Sequence, residues 1–194
     1  MPLAVPGQNG RAFDVVGLGQ NSVDYVAGAA TYPAPNSKQR LEHFACLPGG
    51  QVAPAIVACA RLGWRTRYIG SFGDDAPGRL SRESLTAEGV DISAARTVQG
   101  ATNRLAVIIV DAGTGGRTVL WHGDPALRMG PMDEASHEAA ASGRLLIVDG
   151  EDIAAATAAA AAARQAGIPT IIDIEEVQSG THGLLHEIDA IISA

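Results

Sequence analysis

Two apolar runs of strand length, Leu145-Leu-Ile-Val-Asp149 and Pro169-Thr-Ile-Ile-Asp173, bracket an alanine-rich stretch over 152–166. Each run is continuous rather than alternating, which is the pattern of a strand buried on both faces. The stretch between them has the length of a crossover helix, and alanine is the best helix former. Strand, helix and strand at this spacing predict parallel neighbours in one sheet with the helix packed across its face. Phe13-Asp-Val-Val-Gly-Leu-Gly19 and Ile188-Asp-Ala-Ile-Ile192 read as further strands of the same kind. The predicted fold class is therefore α/β, with a central, mostly parallel sheet flanked by helices.

The first half interrupts this rhythm. Val23-Asp-Tyr-Val-Ala-Gly28 leaves no room for a helix after the first strand, and Arg40-Leu-Glu-His-Phe-Ala-Cys-Leu47 alternates polar with apolar residues. Residues 103–111 and 117–121 read as a hairpin around Ala112-Gly-Thr-Gly-Gly116. These amphipathic strands predict a small side sheet. Helices are expected over about 52–62, where Val52, Ile56, Val57 and Ala60 share a face and Gly63 stops the helix, after Gly78 to about Ala87, and near 133–141. Arg67-Tyr-Ile-Gly-Ser-Phe-Gly73 reads as one strand. Residues 1–12, with Pro, Gly and Asn, read as a flexible tail, and 13–194 as one domain.

Charge and composition exclude several classes of partner. The net charge is -7 over 194 residues, and Lys38 is the one lysine among 14 basic residues. No basic face is available for phosphate backbones, so no nucleic-acid partner is expected. No apolar stretch reaches membrane-spanning length, so no membrane partner is expected either. The N-terminus lacks the basic start and apolar core of a signal peptide, which points to a cytoplasmic protein. Cys46 and Cys59 lie in apolar contexts and read as buried free thiols, and Trp64 and Trp121 as packing residues.

Gly17-Leu-Gly19 after a strand suggests a dinucleotide-binding turn, but Ser22 stands where the third glycine belongs and no helix follows. A Rossmann-type oxidoreductase is thereby disfavoured. Gly49-Gly50 precede the helix at 52, and two readings stand: a bare backbone that receives a ligand at a helix entrance, or a tight turn needing positive φ. No Gly-Lys-Ser/Thr follows, so it is not a nucleotide-phosphate loop of that kind. Asp24, Asp149 and Asp173 each follow or end a strand and are expected to line one rim, where carboxylates accept from ligand hydroxyls. His182 and His186 have metal-ligand spacing without a third ligand and read as the surface of a helix. No metal site is expected, and no Ser-His-Asp or Cys-His arrangement is found.

Four segments together resemble the ribokinase-like, or PfkB, family of carbohydrate kinases. They are Val16-Gly-Leu-Gly-Gln-Asn-Ser-Val-Asp24; the double glycine and helix from Gly49 to Ala-Arg-Leu-Gly63; Tyr68-Ile-Gly-Ser-Phe-Gly-Asp-Asp-Ala-Pro-Gly78; and Gly89-Val-Asp91 with Thr102 and the hairpin after it. The resemblance implies a ribokinase-like sheet with a small β-sheet lid, its strands near 23–47 and 93–121, which accounts for the side sheet. It implies transfer of the ATP γ-phosphate to a sugar hydroxyl, with ATP and Mg2+ as cofactors of a complete enzyme and a homodimer formed through the lid. By the same likeness Asp24, Gly49, Gly50 and Gln51 hold sugar hydroxyls, Asp149 or Glu151 comes from the next substrate-facing strand end, and Arg104 on a lid strand reaches an acidic group of the sugar or is a solvated arginine.

Departures qualify the likeness. Pro54 replaces a polar Asn common in the family's helix, and Asp173-Ile-Glu175 replaces Asp-Pro-Asn. The family's Asp-Thr-x-Gly-Ala-Gly-Asp, which cradles the transferring phosphate and supplies the base, is absent from the 194 residues. The expectation is an incomplete ribokinase-like domain, lacking the C-terminal part of the fold: the substrate-binding part of a sugar kinase, inactive alone. The rival expectation is a non-catalytic sugar-binding or dimerisation module.

Overall fold

The computed structural model describes residues 3–8 and 10–193. Five strands build the central sheet: β1 (Val15–Leu18), β4 (Thr66–Ile69), β9 (Leu145–Asp149), β10 (Thr170–Asp173) and β11 (Ala190–Ile192). Their order is β11-β10-β9-β1-β4, and every pairing is parallel. Helix α4 (Ile153–Gln165) is the predicted crossover between β9 and β10. Asp152 caps it, accepting from the Ala155 N–H at 3.1 Å. Ala155, Ala156, Ala159, Ala160 and Ala163 are all fully buried against Val16, Leu146, Val148 and Ile172. Methyl side chains let this helix lie close to the sheet.

The opposite face packs on α1 (Val52–Arg61) and α2 (Ala76–Ala87). Val15, Val52, Ala53, Ile56, Tyr68, Phe72 and Leu85 form this second core, with Val57 and Ala60 partly buried against it. Neighbouring residues of β1 thus serve opposite cores, Val15 in one and Val16 in the other, which is why the strand reads as apolar throughout. Helix α3 (Glu134–Ala140) lies where expected, and a short α5 (Thr181–Leu185) carries His182 on its surface, with His186 just beyond it and their rings edge-on at 4.8 Å.

The lid is a separate four-stranded sheet in the order β3-β2-β7-β8, built from β2 (Ser22–Ala29), β3 (His43–Gly49), β7 (Leu105–Asp111) and β8 (Arg117–His122). β2 and β7 are parallel, and the outer pairings are antiparallel. Val23 anchors the sheet in the core, whereas Phe44, Leu47, Leu120 and Trp121 are exposed.

Five expectations change. The run 67–73 is not one strand: it breaks at Gly70, and β5 (Ser71–Gly73) leaves the central sheet to pair with β6 (Arg96–Val98). Segment 93–121 therefore does not lie wholly in the lid. Cys46 is exposed on a lid strand rather than buried, and Cys59 is half-buried, its thiol pKa raised by burial. Trp64 and Trp121 are 49% and 57% exposed, so neither is a core packing residue. Within residues 1–12, Arg11 donates to the Ala141 and Ala166 carbonyls, both at 2.8 Å, and Pro6 O accepts from Arg144 Nε at 2.7 Å.

Candidate functional site

The cleft lies where the lid meets the C-terminal ends of the central strands, the usual ligand position in open α/β sheets. After β1 the chain turns through Gly19–Asn21 into the lid. The Tyr68 hydroxyl donates to Gly19 O at 2.6 Å, and Asn21 Nδ2 donates to Tyr68 Oη at 2.9 Å and to Ser71 O at 2.8 Å. The second entry to the lid, ahead of β7, is held similarly. Asn103, 1% exposed, accepts from the Gly73 N–H at 3.1 Å and donates its own N–H to Asp75 at 3.0 Å.

Asp149 ends β9 at 1% exposure, with its carboxylate packed against Gly19. It accepts from the Gln20 N–H at 2.7 Å and the Glu151 N–H at 3.1 Å. Burial nevertheless dominates and pushes its pKa up to about 7; the two backbone donors oppose the rise, the nearby Glu151 charge adds to it, and Arg104 opposes it. Arg104 Nη1 donates to Glu151 Oε2 at 2.7 Å, and its guanidinium lies 4.1 Å over the Trp121 ring. Lid and strand-end loop are thus bridged by one ion pair stacked on an aromatic face. Arg104 is not solvated: its side chain is 16% exposed.

This pair stands between two hollows. An inner one of about 60 Å3 is lined by Leu18, Asn21, Met129, Asp149 and Ala155 among others, and an outer one of about 160 Å3 by Gln20, Gln51, Trp121, Glu175 and Glu176. Gln20, Arg104, Arg128 and Glu151 line both. A larger hollow of about 650 Å3 beside α3 contains none of the predicted site residues.

Gln51 Oε1 accepts from Gln20 Nε2 at 2.7 Å, which leaves Gln20 Oε1 and Gln51 Nε2 shielded from solvent without a partner. Gly50 has φ +107°, and a Cβ there would lie 2.7 Å from Gln20 O, so the tight-turn reading of the double glycine holds. The Asp24 carboxylate packs directly on the Gly49 Cα and accepts from Ser22 Oγ at 2.7 Å. Of the free amides at the entrance of α1, Ala53 N–H reaches Gln20 O at 3.3 Å and Pro54 has none. This entrance therefore offers few donors to an anion.

The structure thus groups Gln51, Arg104, Asp149 and Glu151 around the cleft, with Asp24, Gly49 and Gly50 in a second group reached through the Gln20–Gln51 amide pair. Of the expected rim, Asp149 and Asp173 end neighbouring central strands in register, and Asp24 lies on β2, across the turn that leads from β1 into the lid. Sequence reasoning missed Gln20, Asn21, Glu175 and Glu176 as lining residues. Their signal was position alone: each pair closely follows the end of a central strand. Among the described residues no group of three or more His, Cys, Asp or Glu side chains could hold a metal ion.

Comparison with known proteins agrees with this architecture. The model of the pfkB family carbohydrate kinases matches residues 14–193. Fructokinase-1 of Oryza sativa subsp. japonica is 32% identical over 123 residues, covering 62% of this chain and 36% of the relative. Ribokinase of Haemophilus influenzae is 25% identical over 175 residues, covering 90% of this chain and 57% of the relative. Among solved structures, a putative ribokinase from Agrobacterium tumefaciens superposes with a TM-score of 0.85 at 25% identity, over 93% of this chain and 59% of that one. Arabidopsis thaliana ribokinase, complexed with ribose and ATP, gives 0.81 at 22% identity, over 94% of this chain and 60% of that one. The chain spans less than two thirds of the length of each of these proteins. With the family's pattern running from the first central strand to the last described one, this chain belongs to the pfkB family of carbohydrate kinases.

Proposed function

We propose that this chain supplies the sugar-binding part of an ATP-dependent kinase that phosphorylates a sugar hydroxyl. The observation that carries this reading is the lining of the outer cleft, where Gln20, Gln51, Arg104 and Glu151 place amide, guanidinium and carboxylate groups side by side. A hydroxyl donates and accepts at once, so it suits a lining that mixes donors with acceptors, whereas a purely anionic ligand suits the donors alone. Asp24 and Glu151 add carboxylate acceptors. The named sugars of the relatives, fructose and ribose among them, support a hydroxyl-rich ligand.

The base that deprotonates the acceptor hydroxyl and the groups that hold ATP and Mg2+ are assigned outside these residues, since the sequence holds no Gly-Ala-Gly-Asp. Phosphoryl transfer relies on positioning and charge stabilisation, and this chain contributes the first. Titration calorimetry with D-ribose and D-fructose is expected to show binding, while ATP with either sugar gives no ADP. Steady turnover by the purified chain refutes the division of labour, and absence of binding by any sugar refutes the reading itself.

A second reading is a non-catalytic sugar-binding or dimerisation module. It is favoured by the exposed apolar surface of the lid, where Phe44 is 64% and Leu120 57% exposed. A monomeric mass together with no sugar binding counts against it.

A further inference from the structure

Arg104 is the residue through which an acidic sugar would be recognised, and its surroundings point the other way. Its Nη1 is bound to Glu151, and the flat face of its guanidinium is covered by Trp121. Its charge is compensated in a partly buried position, with 16% of the Arg104 side chain and 33% of that of Glu151 exposed. An anion could approach only the guanidinium edge that carries Nε and Nη2, and a sugar carboxylate or phosphate bound there would stand beside the Glu151 charge and add to the negative charge already pressing on buried Asp149.

The rest of the cleft adds to the penalty. The outer hollow sets Glu151, Glu175 and Glu176 against Arg104 and Arg128. In the inner hollow Asp124 and Asp152 face the same arginines, and both already accept backbone N–H bonds, from Thr102 and Ala126 and from Met129, Gly130 and Ala155. Carboxylates thus outnumber guanidiniums in both hollows. A neutral ligand meets no such barrier. Arg104 Nε and Nη2 remain as donors, and Glu151 Oε1 as an acceptor, without breaking the 2.7 Å bond.

We infer that the Arg104–Glu151 pair, stacked on Trp121, is a specificity element that reads an uncharged diol as a unit and rejects acidic and phosphorylated sugars. The inference rests on the sugar-binding reading above. It makes Glu151, rather than Arg104 alone, the determinant of substrate charge: removing its charge releases the arginine for anions.

The test is titration calorimetry of the full chain with D-ribose, D-fructose and D-glucose beside D-gluconate, D-glucuronate and D-ribose 5-phosphate. In the wild type the tightest neutral sugar is expected to bind at least tenfold more tightly than the tightest anionic one. Glu151→Gln is expected to shift that ratio at least tenfold toward the anions. Arg104→Gln, which removes only the cation, is expected to shift it further toward the neutral sugars. Opposite signs from the two variants separate charge selection from general damage, and thermal melting confirms that each is folded. Equal binding of neutral and anionic sugars by the wild type overturns the inference and leaves the sugar-binding reading standing. A folded Glu151→Gln with an unchanged ratio also overturns it. No binding of any sugar by the wild type removes both.

Discussion

Replacing Asp149 by Asn tests the electrostatics at the heart of the cleft. The carboxyl is 1% exposed, and its pKa is pushed up to about 7 from an ordinary 3.8, chiefly by burial. In the folded chain it therefore holds its proton across a pH range in which the unfolded chain has lost it. A raised carboxyl pKa contributes stability at low pH that is lost as pH rises through the folded value. At 1.36 kcal/mol for each pKa unit, the loss between pH 4.5 and 8.5 is about 3 kcal/mol, an order-of-magnitude figure.

Asparagine is neutral at every pH and nearly the same size, so it removes this slope. It also has one acceptor oxygen where Asp149 uses two, one for the Gln20 N–H and one for the Glu151 N–H. One backbone donor then faces an NH2 group, at a cost of about 1–3 kcal/mol. Below pH 5 the variant is expected to be the less stable protein. Its deficit shrinks steadily as pH rises, by about 3 kcal/mol in all. Urea unfolding followed by circular dichroism at half-unit steps from pH 4.5 to 8.5 measures the difference directly. A stability difference that is flat across that range refutes the reasoning, because Asp149 would then titrate alike in the folded and unfolded chain.

Asp14 is expected to behave in the opposite sense: hydrogen bonds from the Arg65 side chain and backbone, and from Arg144, hold its carboxyl at about 2. The stability it contributes is present above its unfolded pKa and fades as pH falls toward about 2, so Asp14→Asn is expected to be destabilised at pH 7 and to converge with the wild type in acid; a pH-independent gap in urea unfolding would show otherwise. Gly50→Ala forces a side chain onto φ +107° with its Cβ 2.7 Å from Gln20 O, and is expected to cost about 1–3 kcal/mol by thermal melting, against no change if the turn relaxes freely. If the lid forms a homodimer, Phe44→Asp with Leu120→Asp converts a dimer to a monomer in sedimentation velocity, and a wild-type monomer at micromolar concentration rules that interface out.

The central sheet was legible because burial on both faces leaves a plain trace, the unbroken apolar runs of β1, β9 and β10. The double-glycine entrance of α1 was legible for a similar reason, since only glycine suits φ +107° beside Gln20. Features made by distant partners were not. β5 and β6 are three residues each and exist because Ser71–Gly73 finds Arg96–Val98 alongside. Neither has a period long enough to read. Asp24 lies on the side sheet, as its strand predicted, but the three-residue turn that carries the chain there from β1 is held by Tyr68, far along the chain. The Arg104–Glu151 pair joins residues 47 apart in sequence, and nothing local to either marks the other as its partner.

The short β5 strand carries a mechanical consequence. The chain enters the lid twice, at Asn21 and at Asn103, and both side chains bond to β5, one to Ser71 O and the other to Gly73 N. The lid is a leaf hung from a single pin by two amide knuckles. Any swing of that leaf away from the central sheet has to pivot about β5 or break buried hydrogen bonds, each costly to leave unmade. Opening the cleft also parts the Arg104–Glu151 pair, so β5 sets where the leaf turns and the ion pair what latches it, and a change in the length or backbone of β5 would move the pivot without touching the lining of the outer hollow.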